Sequence, residues 1–253
     1  MERSPIQMVA DAAEWLIENG AEIARVQTDT EALARAAGMR EAECFALPTG
    51  VVITVEDAQG KTTTVVRRIH QRVLHLERLN RLEACIREAV ETPTPLEIVV
   101  KNLRSAAQAP GWGPAALIPA SGLAAGGFAL FYGGNLAEGA FALGLGLLWA
   151  LFKLFLERPW IPGVFTTAIG SFFAVEGSLL GADVFHQLHA EPIATGTLML
   201  LVPGLALVQT LRDLVAGELV TAQSRFAEVL MTGAALAIGA TVALSLHSGK
   251  ISL

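Results

Sequence analysis

One carboxylate lies inside a long uncharged stretch in the second half of the chain. Glu176 follows 17 uncharged residues and precedes the uncharged residues 177–182. Placing a charged side chain in hydrocarbon costs at least about 2.5 kcal/mol, so Glu176 should face a protein interior or water, where it could bind a proton. Because the residue lies nearer one end of the stretch, a side chain that extends to the surface is the alternative.

A proline and a glycine interrupt another uncharged stretch. Pro203 removes one backbone hydrogen bond, and Gly204 lowers the cost of unwinding a helix. A helix that is discontinuous here would expose backbone carbonyl and amide groups to a ligand. The alternative is a continuous helix with a kink, whose freed backbone groups are satisfied by neighbouring helices.

Polar residues follow this pair within three helical turns. Arg212 could bind a carboxylate through two parallel hydrogen bonds, and it is accompanied by Gln209, Thr210 and Asp213. The alternative is that Arg212 only reflects the charge bias of membrane proteins, while Asp213 pairs with it or with Arg225. The pattern therefore identifies a candidate site for an anionic group without deciding its role.

Motifs for metal binding and catalysis give little support to an enzyme. Asp183, His186, His189 and Glu191 lie close together, and His-x-x-His can occupy one helix face, but plain interfacial polarity explains the same residues. The sequence contains no His-Glu-x-x-His, no phosphate loop and no Gly-x-Ser-x-Gly motif. We therefore expect neither an enzyme nor a bound cofactor or metal.

Charged residues are distributed very unevenly, which indicates two environments in one chain. Of the 18 basic and 24 acidic residues, 29 lie in residues 1–112 and 13 in the remaining 141. We expect a water-soluble domain over residues 1–109, a hinge over 110–114 and a membrane domain over 115–253. The net charge of -6 without a basic stripe argues against a nucleic-acid partner.

The first domain combines helical and extended patterns. Residues 5–38 have apolar positions at helical spacing with a break at Gly20, and two more helices are expected over 74–90 and 96–107. Between them, β-branched and aromatic residues alternate with turn residues. This predicts an α+β domain with a small antiparallel sheet over residues 44–47, 51–55 and 62–66.

The second domain contains five apolar segments, each close to the roughly 20 residues that cross a bilayer as a helix. Small residues at Gly122/Gly126 and Gly177/Gly181 allow close helix packing and indicate no chemistry. The sequence therefore predicts a membrane α-helical bundle of five spans preceded by a small α+β cytoplasmic domain. The five spans are expected near residues 115–132, 138–156, 160–182, 192–211 and 228–247.

The distribution of Lys and Arg predicts an orientation. Lys153, Arg158, Arg212 and Arg225 lie between spans two and three or four and five, whereas the loops on the opposite side contain no Lys or Arg. By the positive-inside rule, the N-terminus is cytoplasmic and the C-terminus lies outside. The charged N-terminal pattern also predicts no cleaved signal peptide. We expect the protein in a bacterial inner (plasma) membrane.

Several stretches together resemble the threonine/serine exporter family, specifically its longer subunit. They include residues 20–26 (Gly-Ala-Glu-Ile-Ala-Arg-Val), 46–53 (Ala-Leu-Pro-Thr-Gly-Val-Val-Ile) and 128–134 (Phe-Ala-Leu-Phe-Tyr-Gly-Gly). The most specific stretch is 202–218, which is similar to the family's Pro-Gly, Arg-Asp and Gly-Asp/Glu pattern. The chain departs from the family at Gln27, where the family pattern often has Glu.

The resemblance implies a five-span layout with a cytoplasmic domain, and the export of threonine and serine or, in a related branch, of small dicarboxylates such as succinate. It also implies a small all-membrane partner subunit and a proton gradient or membrane potential as the driving force. An odd number of spans in one half of a transporter is consistent with a partner in inverted orientation.

Two hypotheses follow from these observations. The first is a subunit of a secondary exporter for a small carboxylate-bearing metabolite; its pathway residues would be Pro203, Gly204, Gln209, Thr210, Arg212, Asp213 and Glu176. The second is a membrane-anchored ligand sensor or regulatory subunit without transport of its own. Flux through reconstituted vesicles distinguishes the two.

Overall fold

The computed structural model describes residues 4–156 and 161–251. The chain forms two compact units. The first contains the described residues up to Gly111 together with Val208–Ser224, and the second contains Trp112–Leu207 together with the described residues from Arg225 onward. Arg158 and Trp160 lie outside the described residues.

The first unit begins with two helices, α1 (Pro5–Glu18) and α2 (Ile23–Ala36). Gly20 separates them with a φ of +87°, in the left-handed region that favours glycine. Each helix buries one apolar face, and Val9, Leu16 and Leu33 are at most 1% exposed. The predicted break at Gly20 is confirmed.

A three-stranded antiparallel sheet follows in the order β1-β2-β3. Its strands are β1 (Glu41–Leu47), β2 (Gly50–Glu56) and β3 (Thr62–Arg68). Side chains on one face of β1 and β2, including Cys44, Val51 and Ile53, are buried against the helices. Two helices, α3 (Leu76–Glu91) and α4 (Leu96–Ala107), complete the core. The predicted small antiparallel sheet is confirmed.

The remaining helices are α5 (Pro114–Phe131), α6 (Leu136–Leu156), α7 (Gly163–Val184), α8 (Ala190–Leu198), α9 (Gly204–Val215) and α10 (Leu219–Ile251). Among the described residues, four of these, α5, α6, α7 and α10, are long and apolar enough to cross a membrane. The segment predicted as a fourth span, residues 192–211, is instead divided between α8 and α9. The predicted membrane helices are confirmed, but the count of five spans is not.

Small residues bring the membrane helices close together. A Cβ atom added to Gly122 would lie only 2.7 Å from the Leu147 side chain of α6. A Cβ atom added to Gly177 would lie 3.0 Å from the Leu145 side chain of the same helix. The paired small residues therefore pack within the chain. Gly196 of α8 packs against α5 in the same way, because a Cβ added to it would lie 2.6 Å from the Ala125 carbonyl oxygen.

α7 and α10 pack side by side and run in the same direction. Ser171 Oγ donates a hydrogen bond of 2.6 Å to the Leu236 carbonyl oxygen, and Gly239 lies directly against the backbone of α7. Further along both helices, His247 of α10 faces Glu176 and Asp183 of α7. Because both helices advance together between these contacts, the intervening residues return the chain to the end at which α7 begins.

Candidate functional site

The helix break at Pro203 is a discontinuity and not a kink. α8 ends at Leu198, α9 begins at Gly204, and residues 199–203 between them form turns. The amide of Leu201 donates to the Leu198 carbonyl oxygen at 2.9 Å, which closes a tight turn at the end of α8. Proline lacks an amide hydrogen and glycine relaxes the steric limits on the chain, which explains why the helix stops here.

A cavity of about 400 Å³ lies beside this break, within the second unit. Leu200 and Leu201 of the break form one side, and the ends of α6 and α7 form the rest. The full lining is Trp149, Lys153, Ile161, Gly163, Thr166, Thr167, Leu200 and Leu201. A second, smaller cavity of about 170 Å³ shares Trp149, Lys153 and Leu200 with the first, so Lys153 borders both spaces.

The lining of the larger cavity can recognise a small anionic group. Lys153 is the one charged side chain among the described lining residues. Thr166 and Thr167 add hydroxyl groups, and the Thr167 hydroxyl already donates to the Gly163 carbonyl oxygen at 3.0 Å. The indole of Trp149, 3% exposed, forms an apolar wall. An ammonium next to hydroxyls and an apolar wall suits a small carboxylate with a short side chain.

Glu176 lies on α7 in a separate cluster. Its Oε2 atom is 4.0 Å from Nδ1 of His247, and Nε2 of the same imidazole is 3.4 Å from Oδ2 of Asp183. The Glu176 side chain is 13% exposed and the Asp183 side chain 59% exposed. The break packs against α7 at Gly170, six residues before Glu176. Glu176 therefore lies on a different turn of α7 from the residue that contacts the break.

A second buried carboxylate, Glu138, is fully engaged in hydrogen bonds. One oxygen accepts from the amide of Asn135 at 2.7 Å, and the other accepts from the His189 amide at 2.9 Å and lies 2.7 Å from His189 Nδ1. Asn135 in turn caps α6 by accepting from the amides of residues 137 and 138. Glu138 therefore joins the start of α6 to the start of α8.

The four residues of the suggested metal site do not come together. His189 contacts Glu138, whereas Asp183 contacts His247. Across residues 4–156 and 161–251, no group of three His, Cys, Asp or Glu side chains could hold a metal ion. Interfacial polarity is therefore the better description of His186 and Glu191, which are both exposed.

The predicted polar residues of α9 belong to the first unit. The side-chain amide of Gln209 donates to the Gly20 carbonyl oxygen at 3.3 Å. Thr210 and Asp213 are buried, at 4% and 0% exposure. Arg212 is exposed and borders a shallow apolar surface that it shares with Glu22. Arg212 and Asp213 thus face different surroundings although they are adjacent in sequence.

Electrostatics in the first unit are dominated by a partly buried ion cluster. Arg25 contacts Glu83 at 3.0 Å and Asp29 at 3.6 Å. Burial raises the pKa of Asp29 and of Glu83, and the positive charge of Arg25 opposes that rise in both. Burial also raises the pKa of Glu18, and the nearby Glu14 adds to the increase. The Arg25–Glu83 ion pair connects α2 to α3.

Sequence reasoning missed two residues of these sites. His247 is the one titratable residue in 229–249, and that isolation in an apolar helix is a signal that could have identified it. Lys153 contributed to the sequence analysis only as evidence for the orientation of the spans. Its place beside the helix break depends on the packing of α6 against α8, which no local pattern encodes.

These features define a class of protein: an α-helical membrane protein with a broken helix, buried charged groups and an attached α+β unit. A family model described as "Putative threonine/serine exporter", ThrE, matches residues 7–247. The chain therefore belongs to the threonine/serine exporter family, which is a family of transporters. No curated protein and no solved structure matches the chain.

Proposed function

We propose that this chain is a subunit of a secondary exporter for a small carboxylate-bearing metabolite in a bacterial plasma membrane. The observation that carries the proposal is the cavity beside the helix break, bordered by Lys153. Many secondary transporters bind substrate at discontinuous helices, where backbone groups are free to contact it. The residues assigned to the pathway remain Pro203, Gly204, Gln209, Thr210, Arg212, Asp213 and Glu176, and Lys153 is added to them.

The cavity favours threonine or serine over a dicarboxylate such as succinate. Among the described lining residues, Lys153 carries the one positive charge, which limits how many carboxylates the cavity can neutralise. The hydroxyl groups of Thr166 and Thr167 provide partners for a hydroxyl or ammonium group of the substrate. A second carboxylate in this space would lack a cation, and a buried unpaired charge is costly.

The parallel arrangement of α7 and α10 supports a five-crossing topology. Two parallel membrane helices require the chain to cross back between them, and α8, residues 199–203 and the first turn of α9, up to Leu207, are the segments of the second unit available for that crossing. Together with the positions of Lys and Arg, this supports our proposal that the N-terminus is cytoplasmic and the C-terminus lies outside.

The same topology leads us to propose a partner. A half-transporter with an odd number of crossings has its pathway completed by a second half of inverted orientation. The partner would be a small all-membrane subunit, and the driving force a proton gradient or the membrane potential.

Reconstitution tests this function directly. Labelled threonine, serine or succinate is loaded into proteoliposomes that contain the chain alone or the chain with the product of its neighbouring gene. We expect flux of threonine or serine from the pair and little from the chain alone. Full activity of the chain alone would exclude the partner, and no flux of any of the three would exclude the exporter.

The Lys153→Gln substitution tests the cavity. A hydrogen bond to a charged group is worth about 1.5–3 kcal/mol, so the loss of the ammonium should reduce kcat/KM for transport by about 10- to 100-fold. Lys153→Arg should retain part of the activity because it keeps the charge. Lys101→Gln, at an exposed position of α4, is the matched control and should transport normally. Normal transport by Lys153→Gln would place the substrate elsewhere.

A cavity in the first unit supports a second candidate function. It encloses about 280 Å³, and its lining includes Glu18, Gln71 and Arg78. Arg78 is held in place by a hydrogen bond from its Nε to the Ala109 carbonyl oxygen at 2.6 Å. A small polar ligand bound there would make the chain a sensor or regulatory subunit. Calorimetric binding of threonine or serine without flux from the reconstituted pair would favour this function over export.

A further inference from the structure

His247 is a buried titratable residue at the α7 to α10 contact. It is 8% exposed, and its two ring nitrogens face two carboxylates of α7: Nε2 lies 3.4 Å from Asp183 and Nδ1 lies 4.0 Å from Glu176. Among the described residues, Nδ1 has no hydrogen-bond partner. The imidazole therefore has one nitrogen in contact with an exposed carboxylate and the other pointing toward a buried one.

The surrounding helices hold this arrangement in place. The Ser171 hydroxyl and the close approach of Gly239 fasten α10 to α7 below the cluster. In the described part of the chain, His247 faces the carboxyl groups of Glu176 and Asp183, both on α7. Ser178, the next polar residue of α7, is buried and donates its hydroxyl to the Val175 carbonyl oxygen at 2.7 Å. Two carboxyl groups thus face one imidazole.

The difference in exposure between Asp183 and Glu176 defines an outer and an inner end of the cluster. The Asp183 side chain is 59% exposed and can exchange protons with water, whereas the Glu176 side chain is 13% exposed. Histidine is the side chain whose charge ordinarily changes between about pH 5 and 8, and it can accept a proton at one ring nitrogen while it releases one from the other. The sequence of groups from solvent to interior is carboxylate, imidazole, carboxylate.

We propose that Asp183, His247 and Glu176 form a proton-uptake site that couples transport to the proton gradient. A proton from water reaches Asp183, passes to Nε2 of His247, and the proton on Nδ1 moves to Glu176, so that one proton enters and one is delivered inward. Glu176 then releases its proton inward, and rotation of the neutral imidazole about its Cβ–Cγ bond turns the remaining N–H toward Glu176 again, so that the reset gains and loses no further proton. This inference rests on the proposed exporter function and identifies its coupling ion.

A purely structural ion pair between α7 and α10 predicts different behaviour. If the cluster only fastens the helices, its loss should impair every mode of transport together. If it carries protons, its loss should impair net transport driven by a pH gradient, while exchange of labelled for unlabelled substrate at equal pH continues, since exchange needs no net proton movement.

The experiment uses the reconstituted pair with labelled threonine, or labelled succinate if the wild type carries that instead. For His247→Gln and Glu176→Gln we expect gradient-driven flux to fall by about tenfold or more, with exchange within about twofold of wild type. Proton entry, read with a pH dye trapped in the vesicles, should fall in parallel. His186→Gln, an exposed histidine outside the cluster, is the matched control and should behave as wild type.

The His247→Gln or Glu176→Gln variant could fail to fold, since both side chains are largely buried. Asp183→Asn then serves as the test, because the Asp183 side chain is largely exposed. It should slow gradient-driven flux and leave exchange intact. Unchanged driven flux in Asp183→Asn would overturn the proposal, and so would an equal loss of driven flux and exchange in the folded variants. Absence of flux from the wild-type pair would instead contradict the exporter function itself.

Discussion

Individual residues of the same type behave differently here because their burial differs. Glu138 is 2% exposed and accepts hydrogen bonds from the amides of Asn135 and His189, whereas Glu191 in the first turn of α8 is exposed. In sequence, Glu138 only shortens the uncharged part of α6. In the structure it joins two helix starts, which a buried carboxylate can do because its charge is hydrogen-bonded.

Cys44 gives a prediction at this scale. Burial raises the pKa of its thiol from 9.0 to about 12, with Glu31 contributing in the same direction. Because the thiolate is the reactive form, Cys44 should resist maleimide at pH 8 in the folded protein and react after unfolding. The folded state binds this proton more tightly, so the resulting stability is complete below pH 9 and is lost as the pH rises toward 12.

Mass spectrometry of the labelled protein, with Cys44→Ala as the control, measures this reactivity. Rapid modification of Cys44 at pH 8 in protein that remains folded would show that the strand is not packed as described. The same comparison shows whether the native thiols interfere with labelling of introduced cysteines.

At the scale of elements, α9 and the turn that follows it are held against α2 and the turn that precedes it inside the first unit. Gln209 donates to the Gly20 carbonyl oxygen, and the Gln27 side-chain amide donates to Glu218 Oε1 at 2.9 Å. Gly217 allows the turn with a φ of +85°. Two stretches that carry the family resemblance, 20–26 and 202–218, are thus in contact although they are far apart in sequence.

The Gln27 to Glu218 hydrogen bond predicts a reciprocal pair of substitutions. Gln27→Glu restores the residue that the family pattern often has, but it opposes two carboxylates and should destabilise the turn by about 1 kcal/mol. Adding Glu218→Gln exchanges donor and acceptor and should recover most of that loss. Amide hydrogen exchange of residues 208–224 measures the effect. If the double variant exchanges as fast as Gln27→Glu alone, the contact does not stabilise the turn.

At the scale of the whole molecule, the relative direction of α7 and α10 carries information about topology. Our proposal explains the parallel packing of α7 and α10 within the second unit by a crossing between them, although α8 is too short to span a bilayer alone and most of α9 belongs to the first unit. Judged by length and apolar composition, four helices among the described residues could span a membrane. The fifth crossing in our proposal is therefore a broken one.

Labelling of introduced cysteines tests this topology in intact cells. With an impermeant thiol reagent, Gln187→Cys should react from outside, and Ala216→Cys should react only after permeabilisation; both positions are exposed. Arg225 is unsuitable as an inside probe because it is 7% exposed. Equal labelling of Gln187→Cys and Ala216→Cys from outside would contradict the five-crossing topology.

Much of the fold was accessible from sequence because its signals are local. The break at Gly20, the three strands and the helix Leu96–Ala107 follow from periodicity and turn residues within short windows. The spanning helices α5, α6 and α7 follow from uninterrupted apolar composition. Pro203 and Gly204 marked a disturbance in the helix, and sequence left open whether the result was a kink or a break.

By itself, the sequence therefore determined the two environments, most of the secondary structure and the family to which the chain belongs. Only the tertiary structure decided that Pro203 ends a helix, that Lys153 borders a cavity beside it, and that His247 faces Glu176 and Asp183. The physical reason is that secondary structure and membrane partition depend on neighbouring residues along the chain. A cavity or a proton site depends on which helix faces meet, and that is set by packing between distant segments.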